Sequence, residues 1–188
     1  MATPVQLWGE IRQLGYVIPQ ATLERSIEHW VKVRGVGPWL VVEHPPVNDY
    51  LYRGQPGTLD FTFALAQAGD LQIELIVQHN DQPSTYLDFL AATQGIGGLH
   101  HLAWWPEDMD EAYRQATEVL GYELWTAGRI GPEGQFRYWS TTRDENGDHP
   151  GTVVEHANIR PATRERFAAM AEQSRRFDAT TDSWYVGR

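Results

Sequence analysis

Hydrophobic and polar positions in the first half of the chain follow an order that predicts one strand, one helix and three further strands. Apolar residues recur at helical spacing after Thr22, whereas the other segments are short apolar runs bounded by Gly or Pro. The predicted segments are a strand at 13–19, a helix at 23–34, a strand at 38–43 and a hairpin of strands at 59–67 and 70–78 that turns at Ala68-Gly69. Residues 45–57 hold three Pro and two Gly, which predicts a surface loop.

The same order of elements returns in the second half of the chain. Residues 79–97 connect the halves and include an amphipathic segment at 84–92 that predicts a short helix. The second set is a strand at 99–105, a helix at 109–120 and strands at 121–127, 135–142 and 151–157. A last helix is predicted at 161–177, and the final ten residues are expected to be loose or to pack on a neighbour.

This repeat predicts an α+β fold built from two βαβββ modules. A length of 188 residues suits one domain, so residues 1–188 are predicted to share one core. The divisions within it are a first module at 10–78, a connector at 79–97, a second module at 98–158 and a C-terminal helix and tail at 159–188. If the two modules pack about a pseudo-twofold axis, equivalent residues of each can converge at the centre.

The charge of the chain limits its partners. Its formal net charge is −10, which argues against nucleic acid or an anionic membrane as the main partner, since both need basic patches. There is no cysteine and no apolar run of about 18 residues, so disulfides, thiolate chemistry and a membrane-spanning helix are not expected. We expect a cytoplasmic protein that binds a small molecule and forms a homodimer, to which Trp184 and Tyr185 contribute.

Polar side chains interrupt apolar strands at equivalent positions of the two modules. Gln13 and His101 lie in the first strand of each module, and Glu74 and Glu155 lie in the last. A buried carboxylate needs a compensating partner, and one divalent metal ion would compensate both. An imidazole, two carboxylates and an amide oxygen suit Mn²⁺, Co²⁺, Ni²⁺, Fe²⁺, Mg²⁺ or Zn²⁺. These four residues are the predicted metal ligands, and His100 is expected on the opposite face of its strand.

Aromatic residues are expected to line the pocket around these four side chains. A cavity with such walls suits a large, mostly apolar ligand that carries one or two oxygens. The residues predicted to contact this ligand are Phe61, Phe63, Trp105, Trp125, Phe136, Tyr138 and Trp139.

Three motifs resemble those of the vicinal oxygen chelate superfamily, which includes glyoxalase I, methylmalonyl-CoA epimerase, extradiol dioxygenases and bleomycin-resistance proteins. They are Gln13-Leu14-Gly15-Tyr16-Val17-Ile18-Pro19, Gly98-Leu99-His100-His101-Leu102-Ala103-Trp104 and Gly151-Thr152-Val153-Val154-Glu155. The resemblance covers about residues 10–158 and implies that the two modules form a half-open, barrel-like sheet around a central pocket. It also implies that His101 and Glu155 are metal ligands and that Glu74 stands where the family carries Glu or Gln.

The motif likeness is greatest to methylmalonyl-CoA epimerase, but the chain departs from that enzyme at two points. Gln13 stands where the family's usual first ligand is His, which makes metal binding weaker or leaves a pocket without metal. The epimerase resemblance also implies a carboxylate on the third strand of the first module. With a turn at Ala68-Gly69, Phe63 lies opposite Glu74, and the inward residues of its strand carry no carboxylate. These inward residues are Leu59, Phe61, Phe63 and Leu65.

Three functions stay open from the sequence. The first is an isomerase, epimerase or lyase in which a metal binds substrate oxygens and Glu74 or Glu155 moves a proton beside a carbonyl. The second is a binding protein of the same fold that sequesters a small molecule without metal or catalysis. The third is an Fe²⁺ dioxygenase, although the ring-cleaving relatives use two His and one Glu, which the four predicted ligands do not supply.

Overall fold

The computed structural model describes residues 7–131, 134–141 and 153–187. Within these ranges the chain forms the helices α1 (Leu23–Arg34), α2 (Thr85–Ala92), α3 (Met109–Arg114) and α4 (Pro161–Ser174). A 3-10 turn at Gln20–Thr22 precedes α1, and a π-helical turn at Gln115–Val119 continues α3. No helix of the described ranges is both long enough and apolar enough to cross a membrane.

All strands of the described ranges belong to one mixed sheet. They are β1 (Gln13–Val17), β2 (Trp39–Glu43), β3 (Val47–Tyr52), β4 (Gln55–Pro56), β5 (Phe61–Ala68), β6 (Leu71–Gln78), β7 (Gly98–Trp104), β8 (Glu123–Ile130), β9 (Gly134–Ser140), β10 (Val153–Ala157) and β11 (Tyr185–Gly187). Their order in the sheet is β11-β2-β5-β6-β1-β7-β10-β9-β8-β3-β4. The predicted α+β fold, with an unclosed sheet and a C-terminal helix, is confirmed.

The two halves of the sheet have the same internal order and meet at its centre. In the first half β1 pairs in parallel with β6, and in the second half β7 pairs in parallel with β10. The strands β1 and β7 pair with each other in antiparallel fashion and join the halves. The first and last strands of each βαβββ unit therefore lie together in the middle of the sheet.

The sheet curls so that its two sides approach each other. Strand β2 lies near one end of the strand order and β3 near the other, yet only residues 44–46 connect them. The chain from Glu43 to Val47 spans at most about 15 Å when it is fully extended. The sheet therefore forms a trough whose concave side is the inner face.

Helix α1 covers the outer face of the first half of this trough. Ile27 and Val31 share one apolar cluster with Ile73, Leu75 and Val77 of β6. Because side chains alternate along a strand, the residues between these three on β6 project to the inner face.

Three local predictions differ from the structure. The segment predicted as a loop at 45–57 contains β3 and β4, because main-chain pairing of β3 with the distant β8 outweighs its Pro and Gly content. The C-terminal tail forms β11, which pairs with β2 of its own sheet. The hairpin turns at Gly69-Asp70, so that Leu65, two residues from the predicted Phe63, pairs with Glu74. A shift of two residues keeps the same side chains on the inner face.

The residues 142–152 lie outside the described ranges, together with the polar loop predicted there. The predicted strand at 151–157 is described from Val153 onwards.

Candidate metal centre and cavity

Four neighbouring strands at the centre of the sheet each carry one of the predicted metal ligands. Along the order β6, β1, β7 and β10, these residues are Glu74, Gln13, His101 and Glu155. They come from sequence positions far apart, and the pairing of the two halves brings their strands together.

The strand registers place these residues equivalently in the two halves. The pairs are Gly15 with both His101 and Glu74, and Ala103 with both Gln13 and Glu155. Exchanging the halves therefore exchanges Gln13 with His101 and Glu74 with Glu155, which is the correspondence that the sequence repeat predicts.

Three of the four side chains meet directly. The Nε2 atom of His101 lies 3.2 Å from Oε2 of Glu155 and 3.4 Å from Oε2 of Glu74. One potential ligand atom from each residue lies within 4.8 Å of the other two. The ring of His101 and the side chain of Glu155 are buried, and Glu74 is only slightly exposed.

Two of these buried atoms lack a hydrogen-bond partner among the described residues. They are Nε2 of His101 and Oε2 of Glu155, whose mutual contact is an ion pair. A buried polar atom without a partner is costly, and a divalent cation between the three groups would satisfy both atoms. One imidazole with two carboxylates also suits a borderline-hard cation, so the donor set fits a divalent transition metal or Mg²⁺.

Burial and neighbouring charges shift the ionisation of Glu74 and His101. Burial raises the pKa of Glu74 above its ordinary value, and the charge of Glu155 adds to the rise. Burial alone would lower the pKa of His101, but the charges of Glu155 and Glu74 outweigh it and raise that pKa to about 9. The two carboxylates therefore favour a positive charge at this position, and a proton on His101 partly supplies it.

Gly15 leaves the space that the ring of His101 occupies. A Cβ atom on Gly15 would lie 1.9 Å from Cε1 of His101 and 2.1 Å from its Nε2. Non-bonded atoms do not approach so closely, so any other residue at this position would displace the ring. Gly15 of the Gln-x-Gly segment in β1 therefore belongs to the site, because its lack of a side chain leaves room for the ring of His101.

His100 lies on the same side of the sheet as His101, which corrects the expectation that it faces away. The pairing of β1 with β7 passes from Gly15–His101 to Tyr16–Leu99, so His100 is the extra residue of a bulge. A bulge breaks the alternation of faces. The Nδ1 atoms of His100 and His101 lie 3.0 Å apart, and both rings are buried.

A layer of aromatic rings packs behind the two His residues. The His100 ring contacts Tyr86 and Tyr138 edge to face, and the hydroxyls of these two tyrosines lie 3.0 Å apart. Burial holds the pKa of His100 well below its ordinary value, and the charge of His101 acts in the same direction. His100 is therefore a neutral ring that supports His101 from behind.

Gln13 forms a hydrogen bond with a residue that the sequence interpretation missed. Its Nε2 donates to Oε1 of Gln72 over 2.8 Å, and both amides are buried. Gln72 lies two positions before Glu74 on β6, so the alternation of a strand places it on the same inner face. The two-residue spacing between Gln72 and Glu74 could have identified Gln72 as an inner-face residue from the sequence.

A cavity of about 210 Å³ opens beside these residues on the inner face. Gln13, Gln72, Glu74 and Glu155 form its polar side, while His101 lies beneath its surface. Helix α4 closes part of it with Thr163 and Phe167. Its remaining lining residues are Phe63, Leu65, Trp105, Ile130, Gly134, Gln135, Phe136, Ala157, Asn158, Ile159 and Arg160.

The aromatic residues predicted to contact a ligand lie in three different places. Phe63, Trp105 and Phe136 line the cavity. Phe61 and Tyr138 belong to the apolar cluster deeper in the trough.

Trp125 and Trp139 lie elsewhere and are not part of the cavity lining. The guanidinium of Arg53 lies over the ring of Trp125, 4.8 Å from its centre. Trp139 packs with Ala116 and Val154 on the outer face, because it alternates with Tyr138 along β9.

Comparison with known proteins relates the chain to one family. The model of the Glyoxalase/Bleomycin resistance protein/Dioxygenase superfamily matches residues 12–139. This range includes the strands of Gln13, Glu74 and His101 and ends before Glu155. Among curated proteins the comparison found no match.

Solved structures share the fold at low sequence identity. Methylmalonyl-CoA epimerase from Mycobacterium tuberculosis superposes with a TM-score of 0.56 at 22% identity, covering 89% of this chain and 97% of its own. A hypothetical protein from Bacillus halodurans C-125 gives 0.54 at 15% identity, over 80% of this chain and 94% of its own. A mutant 4-hydroxymandelate synthase from Streptomyces coelicolor gives 0.51 at 15% identity, over 89% of this chain and 54% of its own.

Proposed function

Because the chain belongs to the glyoxalase/bleomycin resistance/dioxygenase superfamily, we propose that it is a divalent-metal-dependent isomerase, epimerase or lyase. It would move a proton beside a carbonyl group of a small, mostly apolar molecule. The observation that carries this proposal is the convergence of His101 with Glu74 and Glu155, whose contacts leave buried ligand atoms without hydrogen bonds.

The metal would be held by His101, Glu74 and Glu155, with Gln13 as a weaker fourth ligand through its amide oxygen. When bound, such an ion polarises a carbonyl oxygen as a Lewis acid. Gly15 and His100 would hold the ring of His101 in place for it.

One of the two carboxylates, not engaged with the metal, would carry the proton. Glu74 and Glu155 both reach the surface of the cavity, where a bound molecule's C–H group would lie. Burial disfavours the charge of Glu74 and raises its pKa, which makes it a stronger base than a carboxylate in water. Phe63, Phe136 and Phe167 exclude water from the same space.

The cavity limits the size of the substrate. Its volume of about 210 Å³ is too small to enclose the bulky ligand that the sequence predicts. Drug-sized ligands occupy pockets of roughly 300–1,000 Å³. We therefore infer a substrate, or a reacting part of a substrate, of only a few carbon atoms.

Two observations argue against the two-base epimerase and the dioxygenase that the sequence resemblance implies. The inner face of β5 carries Phe61, Phe63 and Leu65 and no carboxylate, so both candidate bases lie on β6 and β10. Proton transfer on one face of the substrate favours an isomerase or lyase over a two-base epimerase. The group of His101 with two carboxylates has one imidazole, which disfavours the dioxygenase with two His and one Glu.

Elemental analysis of the purified protein tests the metal. We expect about one transition-metal ion per chain in the wild type, a partial loss in Gln13→Ala and a complete loss in His101→Ala. His29→Ala is the matched control, since His29 is an exposed residue of α1. A metal-free wild type that stays metal-free after incubation with Mn²⁺, Co²⁺, Ni²⁺ or Zn²⁺ would overturn the metalloenzyme proposal.

Hydrogen–deuterium exchange tests the chemistry. Small ketones and esters would be incubated with the metal-loaded protein in D₂O and followed by proton NMR. We expect exchange beside the carbonyl that is lost in Glu74→Gln or Glu155→Gln. Equal exchange in both variants and the wild type would refute the roles of these carboxylates.

A binding protein without metal is the second candidate function. Gln13 favours it, because an amide oxygen is a weaker metal ligand than the imidazole that the family usually carries at this position. In this case the chain would bind small molecules in the presence of a chelator and catalyse no exchange.

A further inference from the structure

We propose that the side-chain NH₂ of Gln72 donates a hydrogen bond to a neutral carbonyl oxygen of the ligand. This rests on the proposed function, because it places the ligand in the cavity beside Glu74 and Glu155. It names the group that the cavity recognises, a ketone, ester or thioester carbonyl.

Gln72 is completely buried, with 0% of its surface exposed, and it lines the cavity. It lies on the inner face of β6, paired with Gln13 on β1 and two residues before Glu74. A ligand that touches the candidate metal ligands therefore has this amide as its immediate neighbour.

The amide of Gln72 has a fixed direction. Its Oε1 accepts a hydrogen bond from Gln13 Nε2 at 2.8 Å, so its NH₂ group points the other way. This NH₂ nitrogen is buried and has no hydrogen-bond partner among the described residues. A buried donor without a partner is energetically costly, and an acceptor oxygen of the ligand would remove that cost.

Another glutamine of the same strand shows the contrast. Gln78 donates to the carbonyl oxygens of Asn80 and Gln82 and accepts from the hydroxyl of Ser84. The fold therefore satisfies the amide nitrogen of Gln78, whereas that of Gln72 has no partner within the part of the chain that the structure describes.

The surroundings of Gln72 define the chemical class of the ligand. An NH₂ group donates only, so its partner has to be an acceptor oxygen. Glu74 is the next inner-face residue on β6 and Glu155 lies on the same polar side, so the two repel a carboxylate at this amide and favour an uncharged carbonyl there, although Arg160 also lines the cavity. Phe63, Leu65 and Phe136 supply apolar walls for the alkyl part.

The test compares two nearly isosteric probes, 3-methylbutan-2-one and isopropyl methyl sulfide. The sulfide has the same alkyl groups, but a thioether sulfur is a weak acceptor. Binding is measured by ligand-observed NMR in protein treated with a chelator, for the wild type, Gln72→Met and Gln67→Met. Gln67 is the matched control, because it is a buried glutamine paired with Gln72 that lies outside the cavity lining.

We expect the wild type and Gln67→Met to bind the ketone about tenfold more tightly than the sulfide, as one hydrogen bond allows. In Gln72→Met this preference should vanish while the affinity for the sulfide stays the same. An equal preference in all three proteins, or no ketone binding by the wild type, would overturn the proposal.

A second measurement covers the case in which Gln72→Met fails to fold. In the wild type, the ketone should shift the side-chain amide signals of Gln72 downfield and leave those of Gln78 unchanged. Unshifted Gln72 signals in the presence of bound ketone would refute the contact. Both readouts are taken without metal, so their failure is distinct from failure of the metal and exchange experiments.

Discussion

The Nδ1 atoms of His100 and His101 lie 3.0 Å apart in the interior of the trough. One of these nitrogens has to donate a hydrogen bond and the other has to accept it, so only one of the two Nδ1 atoms carries a proton. If His101 binds a metal through Nε2, its Nδ1 carries the proton and His100 accepts it. Such an outer partner orients a ligand His and fixes its tautomer.

Replacing His100 should weaken metal binding according to the acceptor that remains. His100→Leu removes the acceptor and should lower metal affinity about 10- to 100-fold, the usual effect of losing an outer partner. His100→Asn should keep most of the affinity, because Asn Oδ1 stands near the position of His Nδ1. Calorimetric titration with Zn²⁺ measures the affinities, and the ¹⁵N shifts of His101 report its tautomer. Equal losses in both variants would show that His100 contributes only packing.

The close contact between Gly15 and the ring of His101 leads to a prediction for a second variant. Gly15→Ala should displace the ring of His101, because the new Cβ would lie 1.9 Å from Cε1. We expect loss of metal binding together with a destabilisation of roughly 1–3 kcal/mol, typical of overpacking a core. Urea unfolding and metal titration of the same sample measure both.

The control for that experiment is Ala103→Gly. Ala103 is the pseudo-twofold equivalent of Gly15 and is paired with Gln13. Removing its methyl group opens space without moving a ring, so the variant should retain its metal. If Gly15→Ala also bound metal normally, the packing argument would be wrong.

The sequence predicted the centre of the molecule better than its edges. The alternation of strands and the internal repeat were sufficient to place Gln13, Glu74, His101 and Glu155 on neighbouring central strands. Even the shifted hairpin preserved the inner face, because the shift was by two residues. Their roles as ligands and bases stay predictions.

Features that depend on tertiary packing could not be predicted from the sequence. The bulge that turns His100 inward follows from the register between β1 and β7, which no local pattern specifies. The short strands β3 and β11 form on partners far along the chain. The size of the cavity depends on how Phe167 of α4 packs onto the trough.

Metal should stabilise the folded protein through His101. A ligand that binds only the native state adds about 2.7 kcal/mol at a concentration 100 times its Kd. We expect Mn²⁺ or Zn²⁺ to raise the Tm of the wild type and of His29→Ala, and a chelator to reverse the rise. His101→Ala should show no rise. A rise in that variant would mean that the metal binds elsewhere.

Helix α4 should determine both the stability of the chain and the size of ligand that it accepts. Phe167 is 9% exposed, packs with Leu40 and Leu65, and lines the cavity. Phe167→Ala should destabilise the fold by roughly 2–4 kcal/mol, at or below the usual cost of a Phe→Ala change because one side of the ring faces the cavity. The exposed Glu165→Ala on the same helix is the control and should change stability by less than about 0.5 kcal/mol. The enlarged cavity of Phe167→Ala should bind acetophenone about tenfold more tightly, relative to 3-methylbutan-2-one, than the wild type does. An unchanged ratio of these affinities in a folded variant would show that α4 does not limit the ligand.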